Sequence, residues 1–370
     1  MKRKTIINEQ AAKARIYYLD ILRVLSILAV ITIHVTATNV SAIRNMDTFH
    51  WWFVNILNSF SRSAVPIFFM ISGALLLGNE KNGNIKEFLK KRLPRIGIPF
   101  LVWSIVYCVL KHYVIEPDYP GIFSFGKIMV KEILQDSVYH HLWFVYIMLA
   151  MYFVIPFVNK IIKNAAKEEL QFFIVMWFFV TIAYTTFQGI YYIKTEQYFY
   201  IRFLDIPFYS GYLGFFILGY YLKNQEFSKK MRGIIYAAGG SAMLAAPILT
   251  YLITRGKDVL NELFYGNFSI TTFLSAVAVF ILFKNIAWEE KINKRLMRLI
   301  ISMSEATFGI YLIHLLVQIY LVRCIETSSK SIAAFASVSD VVTIAAVFMI
   351  SFFIVKLINL NSRISKILFG

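Results

Sequence analysis

The sequence predicts an all-α integral membrane protein of about ten transmembrane helices with both termini in the cytosol, and three observations carry that prediction. Of the 370 residues 58% are hydrophobic and only 16% charged, with a mean hydropathy of +0.63. A soluble domain of this length needs far more charge to cover its surface. Apolar runs near the roughly 20 residues that cross a hydrocarbon core recur along the whole chain, so a single membrane-embedded domain is expected over residues 1–370. Basic residues are also unevenly shared between alternate connecting segments, which tests the span count independently of hydropathy.

Reading apolar runs between charged breaks places helices near 17–38, 51–77, 96–115, 142–162, 171–187, 206–222, 233–253, 268–284, 300–322 and 339–358. Residues 1–15 form a basic cytosolic segment, MKRKTIINEQAAKAR. The apolar run after it is too long for a signal-peptide core and lacks a small-residue cleavage pattern, so it is read as a retained first span. In the second span SFSRSAVP (59–66) puts Arg62 and Pro66 in mid-segment. Such a segment needs neighbouring helices to satisfy its polar groups, which predicts a kinked, inward-facing helix. Cys108 and Cys324 have no metal-like spacing and no disulfide framework, and no metal site is expected. Paired broken helices of the kind that mark inverted-repeat transporters are not evident.

The net charge of +17 arises from 38 Lys and Arg against 21 Asp and Glu. Twenty-six of the 38 fall in one alternating set: residues 2–15, 81–95, 160–167, 223–232, 284–298 and 356–366. Only ten fall in the other: Arg44, Lys111, Lys127, Lys131, Lys194, Arg202, Arg255, Lys257, Arg323 and Lys330. The positive-inside rule then puts both termini in the cytosol. This charge is a topology signal rather than a nucleic-acid surface. Its expected partners are anionic inner-leaflet lipids and cytosolic anions.

Arg23 and His34 lie within the first span, where an ionisable side chain costs about 2.5–3.5 kcal/mol on insertion scales and is a functional candidate by default. Eleven steps of about 100° are three turns plus roughly 20°, so the two side chains share one face about 16 Å apart. Two readings stay open. The pair can serve a ligand lying along the helix, or Arg23 can snorkel and pair with Asp20 while His34 bonds to a neighbouring helix. Further candidates are Lys91, Arg92 and Arg95 at the basic start of the third span, His141 and Trp143 at the start of the fourth, and Tyr311 and His314 in the ninth. Glu305 is set aside, because SMSE (302–305) reads as a capping box.

Five stretches resemble acyltransferase family 3. YLDILRVLSILAVITIH (18–34) is similar to its first-helix signature, SAVPIFFMISGALLLG (63–78) to its second-helix motif, and KKRLPRIGIPFLVWS (90–104) to its basic loop. HLWFVYIMLAMYFVIP (141–156) and ATFGIYLIH (306–314) resemble its fourth- and ninth-span motifs. All five are in family order and cover nearly the whole chain, and the resemblance is to the surface-polysaccharide O-acetyltransferase branch. No hydrolase-like domain follows the last span, so transfer is expected to finish in the membrane portion or with a separate partner.

The resemblance implies an enzyme that moves an acetyl or other short acyl group from cytosolic acyl-CoA to a cell-surface or lipid-linked glycan, in a bacterial plasma membrane. Acetyl-CoA is then a donor substrate, and no permanently bound cofactor is expected. Arg92, Arg95 and Lys91 take the acyl-CoA phosphates, which arginine grips with paired bonds. Arg23 and His34 form the catalytic pair, their spacing comparable to an extended pantetheine arm. His141, Trp143, Tyr311 and His314 position the acceptor. His34 acts either as general base or as acyl-carrying nucleophile. The runner-up function is a transporter of an acylated envelope molecule.

Overall fold

The computed structural model describes residues 15–79, 82–201, 208–328 and 336–370, and every regular element among them is a helix. The first span is α1 (Tyr17–Ser41). The second is broken as its polar centre requires, into α2 (Phe49–Ser61) and α3 (Ala64–Leu76) with a turn at Arg62 and Ser63. Helix α4 (Ile85–Leu110) begins the third span and runs on through a π-helical stretch, Lys111–Ile115. A short helix, α5 (Ile122–Leu134), leads to α6 (Trp143–Asn164). The fifth span is α7 (Lys167–Trp177) joined to α8 (Tyr184–Thr195) by a second π-helical stretch. Then come α9 (Phe208–Asn224), α10 (Lys229–Thr254), α11 (Ile270–Lys284), the single-turn α12 (Trp288–Lys291), α13 (Lys294–Ser328), α14 (Ala336–Ile358) and α15 (Ser362–Leu368).

Nine helical segments among the described residues are long and apolar enough to cross a membrane. The 17-residue α9 occupies the place of the sixth expected span. The start of that span at 206–207 and the basic segment 1–14 lie outside the described residues.

Contacts between helix ends follow the alternation of the basic segments. At one end Arg15 meets Glu305, Gly78 meets Asn159, Lys223 reaches the Ala74 carbonyl, and Lys284 the Leu222 carbonyl. At the other, Asn39 bonds Asp340, Trp51 the Val40 carbonyl, and Tyr251 Asp47. Ends expected on one membrane face therefore meet each other.

Helix α1 sits in the middle, packed by α2, α3, α11, α13 and α14. Without a hydrophobic drive between helices in lipid, close approach depends on small residues. The tightest example is α3 on α9, where a Cβ at Gly73 would lie 1.9 Å from the Phe216 carbonyl oxygen and one at Gly219 2.0 Å from that of Met70.

Two local expectations are corrected. The basic stretch 90–104 is not a loop but lies inside α4, because Asn84 caps that helix by accepting from the Glu87 N–H and so starts it about eleven residues before the expected span. The SMSE stretch 302–305 caps nothing. It lies well inside α13, whose first turn is closed by Asn293 accepting from the Leu296 N–H at 2.8 Å, and Glu305 instead takes Arg15 at 2.9 Å.

Candidate active site

Four of the six histidines converge near one end of α1. The His34 ring lies 5.2 Å from that of His140 and 5.3 Å from that of His314, and His141 lies 5.4 Å from His314. Three chain segments supply them: α1, the turn before α6, and α13. Helix α13 runs alongside α1 in the same direction, so Arg23 meets Ser304 at 2.8 Å and, eleven residues on, His34 meets His314, ten residues past Ser304. The shared face expected of Arg23 and His34 is the face on α13. Gln318 closes the contact by donating to the His34 carbonyl at 3.2 Å.

The buried histidines are held but not satisfied. His314 Nδ1 sits 2.6 Å from the Tyr311 carbonyl oxygen, which can only accept, so in the neutral ring Nδ1 carries the proton and Nε2 the lone pair. That Nε2 is buried with no hydrogen-bond partner, and so are both ring nitrogens of His141. An unmade bond at a buried polar atom costs about 1–3 kcal/mol, so these nitrogens are open to a polar partner. The His141 ring packs edge-on to Tyr107 at 4.8 Å, and its carbonyl accepts from the Tyr311 hydroxyl. Burial and the neighbouring histidines hold the His141 imidazole well below its ordinary pKa, so it is neutral at pH 7.

On the far side of His34, Arg62 donates to Asn58 at 2.7 Å and lies 4.4 Å over the Tyr265 ring. Asn58 in turn bonds Thr36 of α1 at 2.8 Å. The polar break in the second span is thus the outer wall of the histidine site.

At the other end of α1, Asp20 is buried and gathers Arg15 at 2.7 Å, Ser304 at 2.6 Å and Arg23 at 3.5 Å. The pairing of Arg23 with Asp20 is real, and it does not keep Arg23 from the site. A cavity of about 230 Å³ is lined by Arg23, Phe68, Ser72, Ile96, Tyr152 and Tyr311, among others. It joins the Arg23 end of α1 to Tyr311, whose ring is 5.5 Å from His141.

The sequence-derived candidates divide as follows. His34, His141, Tyr311 and His314 come together. Trp143 stands apart from them, its ring against Tyr212 at 5.7 Å and Phe144 at 6.2 Å. Lys91, Arg92 and Arg95 lie on α4 near the Arg23 end of the cavity: Ile96 lines it, and the charges of Arg92 and Arg95 act on Tyr152, which also lines it. His140 and Arg62 were visible in the sequence, as a neighbour of His141 and as a charge inside a span, but only the fold shows that they flank His34.

Helices that span a membrane and bring four histidines together, two of them buried, beside a cavity that runs from Arg23 to Tyr311 define an integral membrane protein. Residues 16–364 match the family model described as an acyltransferase domain, so the chain belongs to acyltransferase family 3 and is a membrane acyltransferase. No curated protein and no solved structure matches it.

Proposed function

We propose that this acyltransferase is a bacterial plasma-membrane enzyme that moves an acetyl or other short acyl group from cytosolic acyl-CoA to the hydroxyl of a cell-surface or lipid-linked glycan. The observation that carries the reading is the cavity that runs from Arg23 to Tyr311, whose ring lies 5.5 Å from that of His141 in the histidine cluster. At about 230 Å³ it falls below the usual 300–1,000 Å³ of a small-molecule pocket. It suits a thin chain such as pantetheine, leaving a bulky nucleotide outside. Arg92, Arg95 and Lys91 would then hold the phosphates, none of them entering an ion pair among the described residues.

In this reading the thioester reaches His34 after about 16 Å, the rise over eleven helical residues. The acceptor oxygen attacks the thioester carbonyl, a C–O bond replaces the C–S bond, and the acceptor's proton passes to an imidazole and then to the leaving CoA thiolate. His34 serves as the base or first carries the acyl group. His314 Nε2 and the His141 ring nitrogens supply polar partners for the acceptor hydroxyls, and Arg62 lies on the same outer side.

The test uses purified full-length protein with acetyl-CoA labelled in the acetyl group and a lipid-linked glycan acceptor. Label should pass to the acceptor, and His34→Ala should abolish transfer while CoA affinity is largely kept. A folded His34→Ala protein that acylates at the parental rate refutes the mechanism. Loss of envelope acylation in cells, with no acyl-CoA turnover by the purified protein, points instead to a transporter.

A further inference from the structure

A second cluster of chemistry-bearing side chains lies outside the reaction site, at the end of α4 next to the turn that carries His140 and His141. Cys108 and His112 are four residues apart and so share one helix face. Glu132 comes to them from α5. The Cys108 Sγ, one ring nitrogen of His112 and one carboxylate oxygen of Glu132 all lie within 4.8 Å of one another. In detail, His112 Nε2 is 3.2 Å from Glu132 Oε1, and Cys108 Sγ is 3.5 Å from Glu132 Oε2.

We propose that Cys108, His112 and Glu132 bind a zinc ion that fastens α5 to the end of α4. Tetrahedral zinc with its ordinary bond lengths places a nitrogen and an oxygen ligand roughly 3.4 Å apart, and a sulfur and an oxygen ligand roughly 3.6 Å apart. The two separations run to the two different oxygens of Glu132, so a single oxygen donor requires a small turn of that carboxylate, within a cluster whose ligand atoms already lie within 4.8 Å of one another. The donor set of one sulfur, one imidazole and one carboxylate selects zinc over magnesium or calcium, which take oxygen ligands. A water completes the four positions.

The surroundings of His112 point the same way. Its Nδ1 lies 2.9 and 3.1 Å from the two oxygens of Asp118. In the metal-bound form the ring proton sits on Nδ1, facing Asp118, and Nε2 turns its lone pair to the ion. A carboxylate bonded behind a metal-ligating histidine is the usual arrangement at zinc. Lys111 Nζ lies 2.5 Å from that same Oε1 of Glu132 and 3.2 Å from the Ser137 carbonyl oxygen, to which it stays bonded when a metal takes the carboxylate. Binding requires the Cys108 thiol to release its proton to solvent, and thiolate plus carboxylate then neutralise the ion.

The site has a structural consequence independent of the transfer reaction. Helix α5 is only 13 residues long and exposes Ile122, Phe123 and Leu134 at 81%, 88% and 80%. Phe125, Met129 and Ile133 pack it against the core on one side only. A metal joining Glu132 to α4 anchors the segment that leads, through buried Val138, to His140 and His141.

The experiment uses the full-length protein without an oligohistidine tag, in detergent, stripped with a chelator, reloaded with zinc and desalted before elemental analysis. The wild type should retain about one zinc per chain, while monodisperse Cys108→Ser and Glu132→Gln proteins should retain none. Asp118→Asn should weaken zinc binding by about 10- to 100-fold. Cobalt in place of zinc should give a thiolate-to-metal absorption band in the wild type that is missing in Cys108→Ser. A folded wild type that retains no zinc overturns the proposal. Zinc that persists in Cys108→Ser but is lost in His140→Ala also overturns it, because the ion then sits in the histidine cluster.

Discussion

Replacing Gly219 or Gly73 by alanine tests the contact of α9 with α3, which lines the cavity. The new methyl group would lie 2.0 Å from the Met70 carbonyl oxygen or 1.9 Å from that of Phe216, whereas real Cβ contacts are essentially never below 3.0 Å. The obstacle in both cases is helix backbone, which cannot rotate aside, so α3 and α9 must part by about 1 Å or more. Overpacking of this kind costs about 1–3 kcal/mol, against a gain of up to about 1 kcal/mol from alanine's better helix propensity. Each variant should therefore lose roughly 1–2 kcal/mol of stability. Gly240 supplies the control: it lies inside α10, and a Cβ added there would meet nothing within 4 Å, so Gly240→Ala should be neutral or stabilising. Phe68 and Ser72, which line the cavity, are carried by α3 itself. The same displacement should cut transfer by up to about 100-fold, the penalty for misplacing reacting groups by 1 Å. Heating the detergent-solubilised variants and measuring the remaining monodisperse fraction gives the stability order. Gly219→Ala and Gly73→Ala proteins that survive as well as Gly240→Ala would refute the packing argument.

Two other outcomes are expected. Arg92→Ala and Arg95→Ala should each weaken CoA binding by about 10- to 100-fold, since a hydrogen bond to a charged group contributes about 1.5–3 kcal/mol, and should leave acceptor binding little changed; equilibrium binding of CoA with parental affinity would return the cluster to a topology role. In an otherwise cysteine-free chain and intact cells, a cysteine at exposed Lys257 should react with an impermeant thiol reagent and one at exposed Glu290 should not, and the reverse pattern would invert the proposed orientation.

Most of the fold was legible because membrane burial imposes one-dimensional rules. A span needs length and apolarity, and both are local properties of the chain. Even the break at Arg62 and Pro66 could be read, since a charge and a proline in mid-span need a local remedy. Helix starts were less legible, because they depend on single capping bonds. Asn84 extends α4 back through the KKRLPR stretch, and Asn293 moves the start of α13 ahead of SMSE. An apolar run gives no sign of either, because the added turns lie in the polar boundary where hydropathy falls while the helix continues.

The site was legible only where periodicity reaches. Arg23 and His34 share a face by helix arithmetic alone, and Ser304 and His314 repeat nearly the same spacing on a parallel neighbour, so two local patterns become one surface once the helices pair. His140, in the turn before α6, belongs to no helical period, and nothing in its sequence neighbourhood distinguishes it from an interfacial polar residue. Trp143 shows the converse. It lies two residues from His141, and the first turn of α6 swings its ring away to Tyr212. Proximity in sequence across a helix start says little about direction, since each residue turns the side chain by about 100°. Glu132 is harder still: twenty residues separate it from His112, and only the return of α5 against α4 joins them. Local rules thus place the groups that one helix presents, whereas groups joined by a turn or a returning helix converge only when tertiary packing has fixed the path between them.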